Sequence, residues 1–180
     1  MEKNRLAINA VAPDFNLPGV DGANYSFKTF SEKSVLVIVF SCNHCPYVKA
    51  YEDRMIALQS AFQDKGVLFV AINANETDLH PEDTFEKMVI RAREKKFNFP
   101  YLRDDDQKVA EAYGAQYTPE IFLLDAKRQL QYTGKIDDNW QDSNAVKVPF
   151  LRDAIVATLA GKPVDPSETH AVGCTIKWAK

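Results

Sequence analysis

The 180-residue sequence lacks long hydrophobic runs, a strong charge of either sign and a large number of cysteines. Its longest apolar runs, Val35–Phe40 and Val67–Ile72, are far shorter than the about 20 residues of a transmembrane helix. With 22 Lys and Arg against 25 Asp and Glu, the net charge of −3 argues against a strongly basic nucleic-acid-binding protein. The sequence therefore predicts neither a membrane nor a nucleic acid as a partner.

The N-terminal stretch Leu6–Ala12 is the one candidate for a signal peptide, but Asn9 interrupts it and it is short for an apolar targeting segment. Three cysteines are also too few, and odd in number, for the disulfide framework of a small secreted protein. We therefore expect a cytoplasmic protein. Its 46% of hydrophobic residues can supply one substantial core, so residues 1–180 are predicted to form a single domain.

The hydrophobic pattern predicts an α/β fold. Alternating residues on both sides of the turn cluster Pro18–Gly22 indicate an N-terminal β-hairpin. The continuous apolar runs Val35–Phe40 and Val67–Ile72 are typical of strands buried on both faces, and helical spacing over 48–62 lies between them. Strand, helix and strand in this order form a βαβ unit.

The second half of the sequence continues this alternation. We predict a helix around residues 85–92 in which Asp83 and Glu86 form a capping box, because they have the required spacing of three residues. The remaining predictions are a short strand at Tyr101, a helix at Lys108–Tyr113, a hairpin of Glu120–Asp125 with Gln129–Thr133, a helix at Leu151–Leu159, and a tail, Val164–Lys180, without a clear period. The expected result is a mixed central β-sheet with helices on both faces.

The motif that carries chemistry is Cys42-x-x-Cys45, placed between a buried strand and a helix. A thiol at a helix N-terminus is stabilised as a thiolate by the unpaired N–H groups, so we predict a lowered pKa for Cys42. Cys45 is close enough to form a disulfide with Cys42, and a protonated His44 between them would further favour the thiolate. Pro46 is tolerated in a first helical turn. Inert core thiols or half of a metal site are the alternatives.

Several segments resemble known redox proteins. Val35–Cys45 and Thr118-Pro119, each next to an apolar strand, are similar to the thioredoxin fold, and Ala12–Pro18 resembles the opening of redoxins of the alkyl hydroperoxide reductase/thiol-specific antioxidant group. Cys42–Tyr47 together with Gly173–Trp178 resembles the peroxiredoxin-like proteins of the thioredoxin family. The resemblance implies an oxidoreductase with a role in cell redox homeostasis or antioxidant defence.

The resemblance also implies roles for two substrate-binding residues. In thioredoxin-like proteins the proline that matches Pro119 is cis and faces the redox disulfide. The residue that matches Thr118 offers backbone groups that pair with an extended substrate. We therefore expect both roles here.

Four positions depart from the family patterns. Peroxiredoxins carry a proline and a threonine or serine seven and three residues before the peroxidatic cysteine, where this sequence has Val35 and Val39. Thioredoxins carry a tryptophan before the first cysteine and an acid six residues before it, where this sequence has Ser41 and Leu36. Fast reduction of peroxide is therefore not expected, and the proton acceptor for Cys45 is unassigned, with His44 as one candidate.

We accordingly predict a thiol–disulfide oxidoreductase in which Cys42 attacks the disulfide of a protein or small molecule and Cys45 releases the product. No cofactor is expected, because the cysteines carry the two electrons, but an external thiol reductant is needed. A thiol peroxidase that uses Cys42, with Cys45 or Cys174 resolving a sulfenic acid, is the first alternative. The second is a redox-inert module in which Cys42, Cys45, Cys174 and His170 bind zinc.

Overall fold

A computed structural model describes residues 5–180. The strands are β1 (Leu17–Pro18), β2 (Asn24–Tyr25), β3 (Val35–Ser41), β4 (Val67–Asn73), β5 (Tyr101–Arg103), β6 (Tyr117–Thr118), β7 (Glu120–Leu124), β8 (Leu130–Gly134) and β9 (Cys174–Thr175). The helices are α1 (Pro46–Phe62), α2 (Phe85–Lys95), α3 (Lys108–Tyr113) and α4 (Phe150–Leu159). Within residues 5–180, no helix has the length and apolar character needed to cross a membrane.

The central sheet has five strands in the order β5-β4-β3-β7-β8. Strands β3, β4 and β5 run parallel to one another, whereas β7 is antiparallel to both β3 and β8. This arrangement confirms the predicted mixed sheet and the βαβ unit. The predicted N-terminal hairpin is also present, because Leu17 of β1 pairs with Tyr25 of β2.

Strand β3 occupies the centre of the sheet, and all seven of its residues are buried. Val35, Val37 and Val39 pack into one core, which includes Leu151 of α4. The intervening side chains, Leu36 among them, pack into a second core on the opposite face. Burial on both faces explains why this strand shows no polar alternation. It also fixes the carboxyl end of β3, which Cys42 follows directly.

Two predictions about element ends are wrong. Helix α2 begins at Phe85 with Thr84 as the N-cap residue, so Asp83 lies in a preceding short 3-10 helix, Pro81–Asp83, and does not cap α2. Helix α1 begins only at Pro46, and its N-cap residue is Cys45 rather than Cys42. Both differences change the chemistry of the site.

The C-terminal tail is more ordered than the absence of a sequence period indicates. Its strand β9 pairs antiparallel with β6, with Cys174 opposite Thr118. The side chain of Trp178 packs, partly buried, against the second core. Cys174 therefore lies on a fixed strand and not on a loose tail.

Candidate active site

The structure places both cysteines of the motif in one buried cluster at the carboxyl end of β3. Cys42 is 2% exposed and Cys45 is 0% exposed, and both are free thiols. Val48 of α1 lies in the same cluster, and Cys174 packs against it. The predicted redox pair is therefore brought together, with the third cysteine of the chain beside it.

Cys42 and Cys45 share a hydrogen bond that distributes their charge unequally. The Cys42 thiol donates to the Cys45 sulfur, and this bond lowers the pKa of Cys45 to about 4. The thiol of Cys174 and the backbone N–H groups of Val48 and Cys174 also favour the Cys45 thiolate. The same bond to Cys45, together with burial and the charge of Asp83, raises the pKa of Cys42 well above its ordinary range.

The predicted lowering of the Cys42 pKa is therefore wrong for the reduced protein. The physical reason is the position of the helix. Because α1 begins at Pro46, its N-terminal N–H groups are directed at the N-cap residue Cys45 and not at Cys42. Within the pair, the lowered pKa is therefore that of Cys45.

Thr118, the residue before Pro119, lies against both sulfurs. The Thr118–Pro119 peptide bond is cis, which confirms the expectation. The Thr118 hydroxyl oxygen is 3.5 Å from the sulfur of Cys42, and the Thr118 carbonyl oxygen is 3.4 Å from the sulfur of Cys45. The backbone of Thr118 is already paired with Cys174. An extended substrate that used this backbone would take the place of the tail.

Asp83 is a site residue that the sequence reasoning missed. Its buried carboxylate accepts hydrogen bonds from the backbone N–H of Asn43 (2.7 Å) and from the side-chain amides of Asn73 (3.2 Å) and Asn75 (2.9 Å). The ring nitrogen Nδ1 of His44 lies 2.6 Å from Asp83 Oδ2. The Asp83 carboxylate thus contacts both residues between the cysteines, Asn43 and His44.

Tyr101 supports the same loop from β5. Its hydroxyl donates a 2.8 Å hydrogen bond to the side-chain oxygen of Asn43, and it accepts one from Asn73 at 3.3 Å. Burial raises the pKa of this tyrosine well above its ordinary value, so it remains a neutral donor. The conformation of the Cys-x-x-Cys loop is therefore set by Tyr101 of β5, by Asn73 of β4 and by Asp83.

The zinc site predicted as an alternative does not form. The groups of His, Cys, Asp and Glu side chains within residues 5–180 that could hold a metal ion are Cys42 with His44 and Asp83, and His44 with His80 and Glu82. Neither group contains Cys45, Cys174 or His170, and the His170 ring packs against Tyr117 instead. In the first group the Asp83 carboxylate is already engaged by the loop and its two asparagine neighbours.

A comparison with family models identifies residues 8–133, about 70% of the chain, as a match to the AhpC/TSA family. The chain belongs to the AhpC/TSA family. Among curated relatives of this family member, the thiol-disulfide oxidoreductase ResA from Geobacillus thermodenitrificans is 29% identical over 126 residues, which cover 69% of this chain and 67% of ResA. A 1-Cys peroxiredoxin from Dictyostelium discoideum is 26% identical over 111 residues, 62% of this chain and 45% of that protein. The predicted classification as an oxidoreductase is confirmed at this level.

Solved structures confirm the fold of this AhpC/TSA family member. An uncharacterized conserved protein from Geobacillus kaustophilus is 37% identical, with a TM-score of 0.90, over 99% of this chain and 96% of its own. A thioredoxin-family thiol:disulfide interchange protein from Chlorobium tepidum gives a TM-score of 0.67 at 19% identity, covering 85% of this chain and 98% of its own. The predicted thioredoxin-like fold is thus confirmed.

Proposed function

We propose that this AhpC/TSA family member is a thiol–disulfide oxidoreductase with Cys42 as its nucleophile and Cys45 as its resolving cysteine. One observation carries the proposal: the two sulfurs are hydrogen-bonded to each other, and both lie against Thr118, which precedes cis-Pro119. The curated relative ResA is named for the same reaction. A pair with one negative charge is ready for exchange, because a thiolate is the species that attacks a disulfide.

In the first step Cys42 attacks a substrate disulfide and transfers its proton to the Cys45 thiolate. The new Cys45 thiol can then donate to the Thr118 carbonyl oxygen, 3.4 Å away. One sulfur of the substrate forms a mixed disulfide with Cys42, and the other leaves as a thiolate that takes up a proton. The substrate disulfide is replaced by the mixed disulfide, so this step needs no external oxidant or reductant.

In the second step Cys45 attacks the sulfur of Cys42 and releases the reduced product. The N–H groups of Val48 and Cys174 favour the thiolate form of Cys45 without any help from Cys42. This stabilisation is what a resolving cysteine needs after Cys42 has lost its thiol. The Cys42–Cys45 disulfide is then reduced by an external thiol.

We assign Thr118 and Pro119 to substrate binding and His44 to a supporting role. With the tail in place, the site suits the disulfide of a small thiol compound, whereas a protein disulfide that binds as an extended strand must displace β9 from Thr118. His44 supports the loop through its contact with Asp83, and its position near Cys42 allows it to balance the charge of Asp83 when protonated. A cytoplasmic location, where thiols are kept reduced, remains part of this proposal.

A thiol peroxidase is the second candidate, and the Thr118 hydroxyl favours it. This hydroxyl lies 3.5 Å from the Cys42 sulfur, although the peroxiredoxin threonine position is occupied by Val39. In this reaction Cys42 is oxidised by the peroxide to a sulfenic acid while the peroxide is reduced to water or an alcohol and water. Cys45 or Cys174 then attacks the sulfenic acid and expels water to form a disulfide.

One experiment separates the two candidates. Reduced protein is mixed with a small disulfide or with hydrogen peroxide at equal concentration, and the loss of thiols is followed in the wild type and in Cys45→Ser. We expect faster loss with the disulfide. In Cys45→Ser, which lacks the thiolate that takes up the Cys42 proton, we expect a Cys42 mixed disulfide that forms more slowly, stays trapped and is absent from the matched Cys42→Ser control. Faster loss with peroxide by orders of magnitude would establish the peroxidase, and no reaction of Cys42 with either reagent would contradict both.

A further inference from the structure

The tail brings Cys174 into contact with the redox pair through a close backbone approach. A Cβ atom at Gly173 would lie only 2.1 Å from the Thr118 carbonyl oxygen, so only glycine lets β9 come this near. The strand is held further along by the Ile176 N–H, which donates to the Gln116 carbonyl at 2.9 Å, and by the Lys177 N–H, which donates to Asn75 at 2.9 Å. The position of Cys174 is therefore fixed by backbone pairing.

Cys174 packs against the cluster that holds the redox pair, and its interaction there is with Cys45. Its thiol and its backbone N–H both hydrogen-bond the Cys45 sulfur. The hydrogen bonds of the Cys42 side chain go to Cys45 and to the Thr118 hydroxyl. Cys45 thus interacts with both of the other cysteines, Cys42 and Cys174.

We propose that Cys174 is a third redox thiol, which takes over the disulfide by attacking Cys45 and thereby provides the point of entry for the external reductant. This inference rests on the proposed function. The Cys174 thiolate attacks the Cys45 sulfur of the Cys42–Cys45 disulfide. That bond breaks, a Cys45–Cys174 bond forms, and Cys42 leaves as a thiolate and takes up the proton that Cys174 lost. No outside oxidant is required, because the exchange is internal.

The three cysteines differ in solvent exposure, and this difference explains what the exchange would achieve. Cys42 and Cys45 are 2% and 0% exposed, whereas Cys174 is only partly buried. A reducing thiol must reach a sulfur of the disulfide, and access is one of the factors that set the rate of this reaction. A disulfide moved to Cys45–Cys174 presents its more exposed sulfur to solvent.

The charge of the site changes in the direction that the exchange needs. In the reduced protein, burial and the neighbouring Cys45 thiolate raise the pKa of Cys174 to about 11. When Cys45 forms a disulfide with Cys42, it loses its negative charge, and it no longer raises the pKa of Cys174. Cys174 therefore becomes easier to deprotonate only after the pair has been oxidised.

The test is to map the disulfides of the full chain. The wild type, Cys42→Ser and Cys45→Ser are equilibrated in glutathione buffers, then acid-quenched, alkylated and digested for mass spectrometry without reduction. We expect the wild type to show both Cys42–Cys45 and Cys45–Cys174 peptides. Cys42→Ser is expected to form the Cys45–Cys174 disulfide in most chains, whereas the matched Cys45→Ser control loses both and forms no Cys42–Cys174 bond.

The outcomes separate this inference from the proposed function. If the wild type contains only Cys42–Cys45 and Cys42→Ser gives only glutathione adducts, the exchange with Cys174 is overturned while the oxidoreductase stands. If the wild type forms no disulfide at Cys45, the proposed function itself fails. Should Cys42→Ser not fold, the wild type is compared with Cys174→Ser instead. Cys174→Ser must then lack the Cys45–Cys174 disulfide, and its Cys42–Cys45 disulfide must be reduced more slowly than the disulfide of the wild type.

Discussion

The lowered pKa of Cys45 can be measured directly. The hydrogen bond with Cys42 lowers the pKa of Cys45 to about 4, whereas the pKa of a free cysteine thiol is about 8.5. We expect the ultraviolet absorbance of one thiolate per reduced chain at neutral pH. Because acid protonates it, this signal should disappear as the pH falls through about 4.

Two variants test whether the titrating thiolate is that of Cys45. Cys45→Ser should remove the signal at neutral pH, since burial and Asp83 still oppose a charge on Cys42. Cys174→Ala should keep a thiolate with a somewhat higher pKa, because one of the hydrogen-bond donors to Cys45 is removed. A signal that survives in Cys45→Ser and disappears in Cys42→Ser would contradict the charge assignment.

At the same scale, Asp83 shows what sequence reasoning could not reach. The residue precedes a helix and has Glu86 three positions later, which is also the signature of a capping box. Its actual partners, Asn43, Asn73 and Asn75, come from two other segments of the chain, so their meeting depends on the sheet. By contrast, Cys42 and Cys45 were predictable because a short local motif between a strand and a helix defines their surroundings.

At the scale of elements, strand β9 is held by the absence of a side chain at Gly173. We expect Gly173→Val to open the pairing of Cys174 with Thr118, since the added Cβ would lie 2.1 Å from the Thr118 carbonyl oxygen. Alkylation of Cys174 by iodoacetamide should accelerate about tenfold, if local opening becomes easier by ~1.4 kcal/mol. The matched control is Thr175→Val, an exposed neighbour in the same strand whose change suits a strand. An unchanged alkylation rate in Gly173→Val would show that the strand does not restrict Cys174.

The other elements were predicted where a local pattern marks them, and this includes the short helix α3. Helix α1 and strands β3 and β4 have continuous or periodic apolar residues, and their predicted centres are confirmed. Strand β9 has only two residues, and no local pattern distinguishes it from a loop. Its existence depends on an edge, β6, that lies more than 50 residues away in the chain.

At the scale of the whole molecule, the site rests on two cores that lie on opposite faces of the central sheet. Side chains of β3 enter both cores alternately, and the chain leaves β3 directly into the Cys-x-x-Cys loop. The α/β class followed from the order of strands and helices, because strand, helix, strand allows essentially one handedness. The assignment of individual helices to one face could not be read from the sequence, since β3 is apolar on both faces.

The central position of β3 makes the second core a sensitive test of stability. Ile38, at the centre of β3, is 0% exposed, and we expect Ile38→Ala to lower the free energy of unfolding of the reduced protein by about 2–5 kcal/mol. The loss combines a lower transfer free energy with the cavity left between β3 and its neighbours. Urea denaturation with the thiols kept reduced measures it. The matched control Ile90→Ala, on α2 and 51% exposed, should change stability by far less, and similar losses in the two variants would contradict a central position of Ile38.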